Sequence, residues 1–88
     1  MKIKEGFVLR KVSDANVVIA TGKAAFEFNG MITLNSTGVY LWEELEKGCE
    51  SKDELVGRML EEYSVDPETA KRDVYAFVEK LEKANILE

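Results

Sequence analysis

The most informative absence is that of histidine, and cysteine is nearly absent too, since Cys49 is the only one among 88 residues. Without histidine the chain lacks the commonest general base and the commonest transition-metal ligand. A single thiol cannot build a zinc site or close an internal disulfide, and no imidazole is present to activate it as a nucleophile. We therefore expect no catalytic residues, no metal and no cofactor.

Long apolar runs are also missing. No run approaches the ~20 residues that span a bilayer. The first six residues lack the apolar stretch and the small-residue cleavage site of a secretory signal peptide. A lone cysteine suits a reducing compartment. These absences predict a cytoplasmic protein with no membrane partner.

Positive charge is scarce where a nucleic-acid binder needs it. The net charge is −5, and residues 36–88 carry seven basic and fourteen acidic side chains, against five basic and three acidic in residues 1–35. Proteins that bind nucleic acids usually present a basic face to the phosphates. The second part of the chain, where the helices are predicted, has the opposite sign.

The residues that are present suffice for one core. Apolar residues make up 45% of the chain, which is typical of a globular domain. A length of 88 residues leaves room for a single domain over residues 1–88 and not for a second core.

The first third of the chain has the pattern of β-strands. Residues 7–12 and 17–20 are rich in β-branched and bulky apolar side chains, and the turn formers at 13–16 lie between them. This order predicts a hairpin. Residues 24–28 alternate between apolar and polar over a short stretch, which fits either a short strand or an ordered connector.

A third strand is predicted over residues 31–35. Asn29 followed by Gly30 is a tight-turn signal, because both residues tolerate positive φ. Alternation within the strand places Ile32 and Leu34 on one face and the residues between them on the other.

From residue 36 the apolar period becomes helical. Ser36 is predicted to cap a first helix over residues 37–47, and Trp42 belongs to its apolar stripe, so we expect it in the core. Gly48 fits the position after the helix, where positive φ is needed.

Two further helices have clear start signals. Ser51 and Glu54 have the spacing of a capping box and open a second helix that ends near residue 63. Asp66 caps a third helix over residues 67–83, whose first residue is the only proline of the chain.

The order of elements decides the fold class. Three strands come first and three helices follow, and such segregation indicates an α+β fold and not a wound parallel sheet. We predict a winged-helix-like domain in which an N-terminal three-stranded antiparallel sheet precedes a three-helix bundle. Asn85 closes the last helix, because Asn tolerates the positive φ that a helix end requires.

Several segments, taken in this order, are specific in combination. They are Phe7-Val8-Leu9-Arg10, Leu34-Asn35-Ser36-Thr37-Gly38, Leu41-Trp42-Glu43-Glu44-Leu45, Glu54-Leu55-Val56, Glu61-Glu62-Tyr63-Ser64-Val65-Asp66, Asp73-Val74 with Phe77 and Leu81, and Ala84-Asn85-Ile86-Leu87. Together they resemble the PqqD family (pyrroloquinoline quinone biosynthesis protein D), whose fold is also the recognition element of ribosomally made, modified peptides. The sequence departs from the family pattern in two places. Residues 21–29, between strands two and three, form a longer stretch than in the shortest family members. Asn85 stands where the family usually has glycine.

The resemblance implies a peptide chaperone. Such a protein binds the leader segment of a precursor peptide along strand three and presents it to a modifying enzyme, often a radical SAM enzyme. This fits the physics of sheets, because an edge strand has unpaired N–H and C=O groups that an added strand satisfies. An exposed edge also offers a route to a homodimer.

The residues predicted to contact the peptide lie on the third strand and the third helix. They are Met31, Ile32, Thr33, Leu34, Asn35, Lys71, Tyr75, Phe77 and Val78. Tyr75 and Val78 are expected on one flank of the groove and Phe77 at its floor, with Lys71 free to pair with a leader carboxylate. The choice of flank rests on Tyr75, which lies at the margin of the apolar arc.

The alternative from a different class is a winged-helix nucleic-acid-binding or regulatory domain, since the helices allow a helix-turn-helix. Its recognition helix would span residues 67–83, where four acidic side chains balance four basic ones. A helix that enters a groove of DNA should be basic. The sequence therefore favours peptide binding.

Overall fold

The chain begins with an antiparallel sheet in the computed structural model, which describes residues 1–27 and 30–88. Strand β1 spans Phe7–Val12, β2 spans Ala15–Ala20 and β3 spans Ile32–Leu34. β2 is central, with β1 and β3 antiparallel to it on either side. The predicted three-stranded antiparallel sheet is confirmed.

The hairpin between β1 and β2 is tighter than predicted. Val12 pairs with Ala15, so the loop contains only Ser13 and Asp14, and β2 begins two residues earlier than expected. Ser13 has a φ of +58°, and positive φ at the first loop position is what a two-residue hairpin turn requires.

A single helical turn follows β2. Helix α1 spans Ala24–Glu27, so these four residues are an ordered connector and not a strand. Gly6 allows this turn to approach the start of β1, because a Cβ at Gly6 would lie 2.9 Å from the Cβ of Ala24. Phe28 and Asn29 lie outside the described residues, so the predicted turn is described only at Gly30, where φ is +129°.

The three predicted helices are present with boundaries close to those expected. Helix α2 spans Ser36–Lys47, α3 spans Lys52–Glu62 and α4 spans Pro67–Lys83. The N-cap of α2 is Asn35 and not Ser36, since the Asn35 side-chain oxygen accepts a hydrogen bond from the Gly38 N–H at 2.8 Å. β3 ends at Leu34, which leaves Asn35 as the junction, and Asn caps as well as Ser.

The other two caps follow the sequence signals with one difference. The Ser51 hydroxyl accepts from the Glu54 N–H at 3.1 Å, but the Glu54 carboxylate accepts from the N–H of Glu50 and not of Ser51. The return hydrogen bond of the capping box is therefore made to the residue before the N-cap. Asp66 accepts from the Glu68 N–H at 3.0 Å, and Asn85 has the expected positive φ of +60°.

The core lies between one face of the sheet and helices α2 to α4. Trp42 is fully buried, as predicted, and Ile32 and Leu34 both face inward with Val18 of the central strand. The helices contribute Leu41, Leu45, Leu55, Met59, Ala70, Val74, Val78 and Leu81 to the same cluster. None of the helices in the described part of the chain is long and apolar enough to cross a membrane.

Arg58 joins the first two long helices. Its guanidinium on α3 donates to the carbonyl oxygens of Glu44 at 3.2 Å and Gly48 at 3.0 Å, and to the Glu54 carboxylate at 2.8 Å. Two of these acceptors are carbonyls at the C-terminal end of α2, which have no partner within that helix. The α2–α3 corner is therefore held by charged hydrogen bonds as well as by apolar packing.

Candidate functional site

The outer edge of β3 is available for pairing. β3 hydrogen-bonds to β2 on one side, and within residues 1–27 and 30–88 no strand pairs with its other side. The strand is short, with three residues in the ladder, and Thr33 at its centre points away from the core. A free edge of this kind can accept one further strand through backbone hydrogen bonds.

An open pocket of about 260 Å³ begins where β3 runs into α2. Its lining comes from the β3–α2 junction and from one flank of α4. The lining residues are Asn35, Thr37, Gly38, Leu41, Asp73, Ala76 and Phe77. Because the pocket continues from the C-terminal end of the free edge, an extended chain on that edge can place a side chain in it.

Gly38 allows the two sides of this junction to meet closely. A Cβ at position 38 would lie 3.2 Å from the Cβ of Leu34 and 3.3 Å from the side-chain oxygen of Asn35. Contacts this short would require Leu34 or Asn35 to shift by a few tenths of an ångström. The glycine therefore supports both the Asn35 cap and the floor of the pocket.

The α4 side of the pocket combines apolar and acidic groups. Phe77 and Ala76 form the apolar part, and Phe77 also packs against the core. Asp73 lies one turn before Phe77 and is about half exposed, with the Arg72 guanidinium 3.8 Å away. The pocket is thus suited to a peptide that places an apolar side chain against Phe77 and Ala76. The next residue of that peptide can then offer a positive charge or an N–H donor to the Asp73 carboxylate.

Tyr75 lies on the opposite flank of α4, towards α3. Its hydroxyl donates to the Asp53 carboxylate at 2.6 Å, and this hydrogen bond to a negative charge raises the pKa of Tyr75. The ammonium groups of Lys52 and Lys71 lie 5.2 and 5.4 Å from the ring centroid, within cation–π range. Tyr75 therefore contributes to the α3–α4 contact.

The structure brings some of the predicted site residues together and separates others. Asn35 and Phe77 meet in the pocket, whereas Tyr75 and Lys71 lie on the α3 flank. Val78 is fully buried in the core, so the expected groove flank of Tyr75 and Val78 does not form. Tyr75 and Val78 are three residues apart and share one side of α4. That side faces α3 and the core, so it is not open to a peptide. Contact of any of these residues with a peptide stays a prediction.

The remaining strand residues are divided by the pleat. Ile32 and Leu34 are buried, so they offer a partner only their backbone groups. Met31 and Thr33 are exposed. Met31 is the more conspicuous, because two thirds of this large apolar residue is accessible to solvent.

Sequence reasoning missed five residues that line the pocket. They are Thr37, Gly38, Leu41, Asp73 and Ala76. The helical spacing of Asp73, Ala76 and Phe77 carried a usable signal, since positions three and four apart share a face. The α2 residues of the pocket had no comparable signal in the sequence. They line it because α2 packs closely against Leu34 at Gly38, and that contact is not visible in a sequence pattern.

Nothing in the site indicates a metal. Among the described residues, no group of three or more His, Cys, Asp or Glu side chains is arranged to hold an ion. Cys49 is buried near the α2–α3 corner, and burial raises the pKa of its thiol. A thiol held in this form is a poor nucleophile.

Comparison with known proteins gives one family and two similar structures. The family described as Coenzyme PQQ synthesis protein D (PqqD) matches residues 16–87. A structure of TbiB1 in complex with the TbiA(beta) leader peptide is 30% identical, with a TM-score of 0.74, over 100% of this chain and 95% of that one. A lasso peptide synthetase B1 complexed with the leader peptide is 18% identical, with a TM-score of 0.72, over 99% and 95%. The comparison with curated proteins gives no match.

Proposed function

This chain belongs to the PqqD family, and on that premise we propose that it binds the leader segment of a ribosomally synthesised precursor peptide by strand addition to β3. It then presents the precursor to a peptide-modifying enzyme and performs no chemistry itself. TbiB1 supports this proposal, because its structure contains a leader peptide and it shares 30% of its residues with this chain over the full length.

The observation that carries the proposal is the free edge of β3 with a pocket at its end. The backbone ladder provides affinity with little sequence preference, since every residue but proline offers the same N–H and C=O groups. The pocket beside Phe77 provides the preference, because an apolar side chain buried there is removed from water. A leader that binds this way is antiparallel to β3 and places one apolar residue against α4.

The expected affinity is modest. A short peptide loses its conformational freedom when it becomes a strand, and this cost offsets part of the gain from pairing. We expect a Kd in the micromolar to sub-micromolar range, roughly −8 to −10 kcal/mol. Such affinity allows the modified precursor to be released.

The partner is an enzyme that acts on the core of the same precursor. The family resemblance favours a radical SAM enzyme. The genes beside that of this chain would identify the enzyme, because a short precursor reading frame and its modifying enzyme are expected there.

A titration followed by amide chemical shifts tests the binding mode. With the precursor leader encoded nearby, the largest shifts should fall in residues 31–35 and on the Asp73–Phe77 flank of α4. Shifts confined to α3 or to the loop around Cys49 would falsify edge-strand binding.

Two substitutions that change the pocket volume in opposite directions test its role. Phe77→Ala removes the apolar wall, and Ala76→Phe fills the pocket from an exposed position. Each should weaken leader binding by about tenfold or more, a loss of roughly 1.4 kcal/mol. The matched control is Tyr75→Ala, an aromatic truncation on the other flank, which should leave the affinity within about twofold. The reverse pattern would place the leader on the α3 flank.

A further inference from the structure

The outer face of the sheet is apolar, although the core lies on the other face. Alternation along β2 puts Val18 inward, so Val17 and Ile19 point outward. On β1 the partners of these two residues are Arg10 and Val8. An antiparallel sheet with one solvated face normally has polar residues in these positions.

The outward strand residues lie outside the core cluster that joins helices α2 to α4 to the inner face of the sheet. Val17 is only 4% exposed, yet it does not belong to the core cluster that joins the helices to the inner face. Val8 and Ile19 are half-buried and are also outside the set that packs on the core. Val12 is 58% exposed and Met31 is 66% exposed. Across the ladder these positions form one patch, the outer apolar face: Val8, Val12, Val17, Ile19 and Met31.

Arg10, on the edge strand β1, is the one charged residue among the outward positions of the three described strands. Arg10 is exposed and pairs across the strands with Val17, which in turn pairs with Thr33 of β3. Among the outward positions of the three described strands there is no acidic residue. The face is therefore apolar with a single positive charge that has no negative partner on the same surface.

The outer apolar face is also continuous with the edge that takes the leader. Thr33 faces outward at the centre of β3, and Met31 precedes the strand. A leader strand added to β3 would point alternate side chains to this same side, because side chains alternate across a sheet. The peptide would thus widen the outer apolar face by one strand.

We propose that the outer apolar face is the docking surface for the enzyme that modifies the precursor. The partner surface is apolar and places a carboxylate opposite Arg10. This inference rests on the proposed leader binding, since the enzyme then contacts the sheet and the outward side chains of the leader together. Docking there brings the enzyme beside the bound peptide without covering the pocket on α4.

Charge argues against a second copy of this chain as the occupant. In a face-to-face dimer of two such sheets, each Arg10 would meet an apolar face with no acidic strand residue to pair with. Burying an unpaired guanidinium is costly. A carboxylate on a different protein removes that cost.

A charge reversal with a matched control tests the docking surface. Arg10→Glu reverses the charge on the outer apolar face, and Lys11→Glu makes the same change one residue later on the opposite face of β1. Binding of the purified modifying enzyme encoded beside this chain's gene is measured by calorimetry, with and without the leader. Arg10→Glu should weaken enzyme binding at least tenfold, and Lys11→Glu should change it less than twofold. The leader should strengthen enzyme binding to the unmodified chain.

The same variants separate failure of docking from failure of leader binding. Leader affinity, measured in parallel without the enzyme, should stay within twofold for both variants. If the leader binds normally and the enzyme binds equally well to Arg10→Glu, the docking surface is wrong and the proposed function stands. If the chain sediments as a dimer that Arg10→Glu dissociates, the face joins two copies and the proposal is overturned. A leader that does not bind the unmodified chain would refute the proposed function itself.

Discussion

The two faces of the sheet differ in how completely their residues are partnered. Inward, Val18, Ile32 and Leu34 are buried against three capped helices. Outward, Val12 and Met31 are mostly exposed, and the far edge of β3 has no strand beside it in the described part of the chain. The comparison teaches that the inner face and the buried sides of its helices should determine stability, whereas the outer face, the free edge and the pocket on α4 are left for partners. The substitutions below separate the two roles.

The largest effect is expected at Trp42, the largest fully buried side chain. Trp42→Ala removes it from the centre of the helical side and should lower the free energy of unfolding by about 3–5 kcal/mol. Trp42→Phe should cost less. It keeps an aromatic ring and removes an indole N–H that has no acceptor among the described residues. Chemical denaturation followed by circular dichroism measures both.

Met31→Ala is the matched control on the outer side. Met31 is large and apolar like Trp42, but it is 66% exposed, so its removal should change the free energy of unfolding by less than about 0.5 kcal/mol. A loss at Met31 similar to that at Trp42 would show that the outer face is part of the core. The contrast between the two faces would then be wrong.

A smaller effect is expected at Arg58, which holds the α2–α3 corner. Arg58→Ala removes hydrogen bonds to two carbonyls and to the Glu54 carboxylate, and should cost about 1.5–3 kcal/mol. The control is Arg72→Ala, which should be nearly neutral, since Arg72 is exposed and its ion pair with Asp73, at 3.8 Å, is weak. Equal losses at the two arginines would mean that the corner is not held by these hydrogen bonds.

The sequence predicted the elements well because their signals are local. A cap is decided by the residues of a single turn, so Ser51 and Asp66 located α3 and α4 without knowledge of the fold. The error at Ser36 was one residue, because Asn35 is an equally good cap and the end of β3 decided between them.

The site was predicted less well because it depends on packing between distant segments. Tyr75 is at the margin of the apolar arc of α4, and it faces α3 because Asp53, 22 residues earlier, accepts its hydroxyl hydrogen bond. No pattern within α4 contains that partner. The outer apolar face was present in the sequence, since Val17, Val18 and Ile19 in succession put apolar residues on both faces of β2. Such a run needs a second covering surface.

The smallest effect is expected at Asp66 and depends on pH. The Asp66 carboxylate accepts hydrogen bonds from the Thr69 hydroxyl and the Glu68 N–H, and these bonds lower the pKa of Asp66. Because the pKa is lower in the folded state than in the unfolded chain, the ionised cap stabilises the fold above the ordinary aspartate pKa of about 4. That stabilisation is lost as the pH falls through the lowered pKa.

Asp66→Ala should therefore reduce the thermal midpoint at pH 7, and the difference from the unmodified chain should shrink below about pH 4. Asp66→Asn is the control: asparagine also caps a helix, so most of the stability should remain, but the pH-dependent part should disappear. Leader affinity at pH 7 should be unchanged in both variants, because Asp66 is at the start of α4, almost two turns before Asp73, the first α4 residue of the pocket. Thermal melts across the pH range and one leader titration per variant measure these effects. A loss of leader affinity in Asp66→Asn, with its melt intact, would show that the start of α4 also contributes to leader binding, beyond the pocket at Asp73–Phe77.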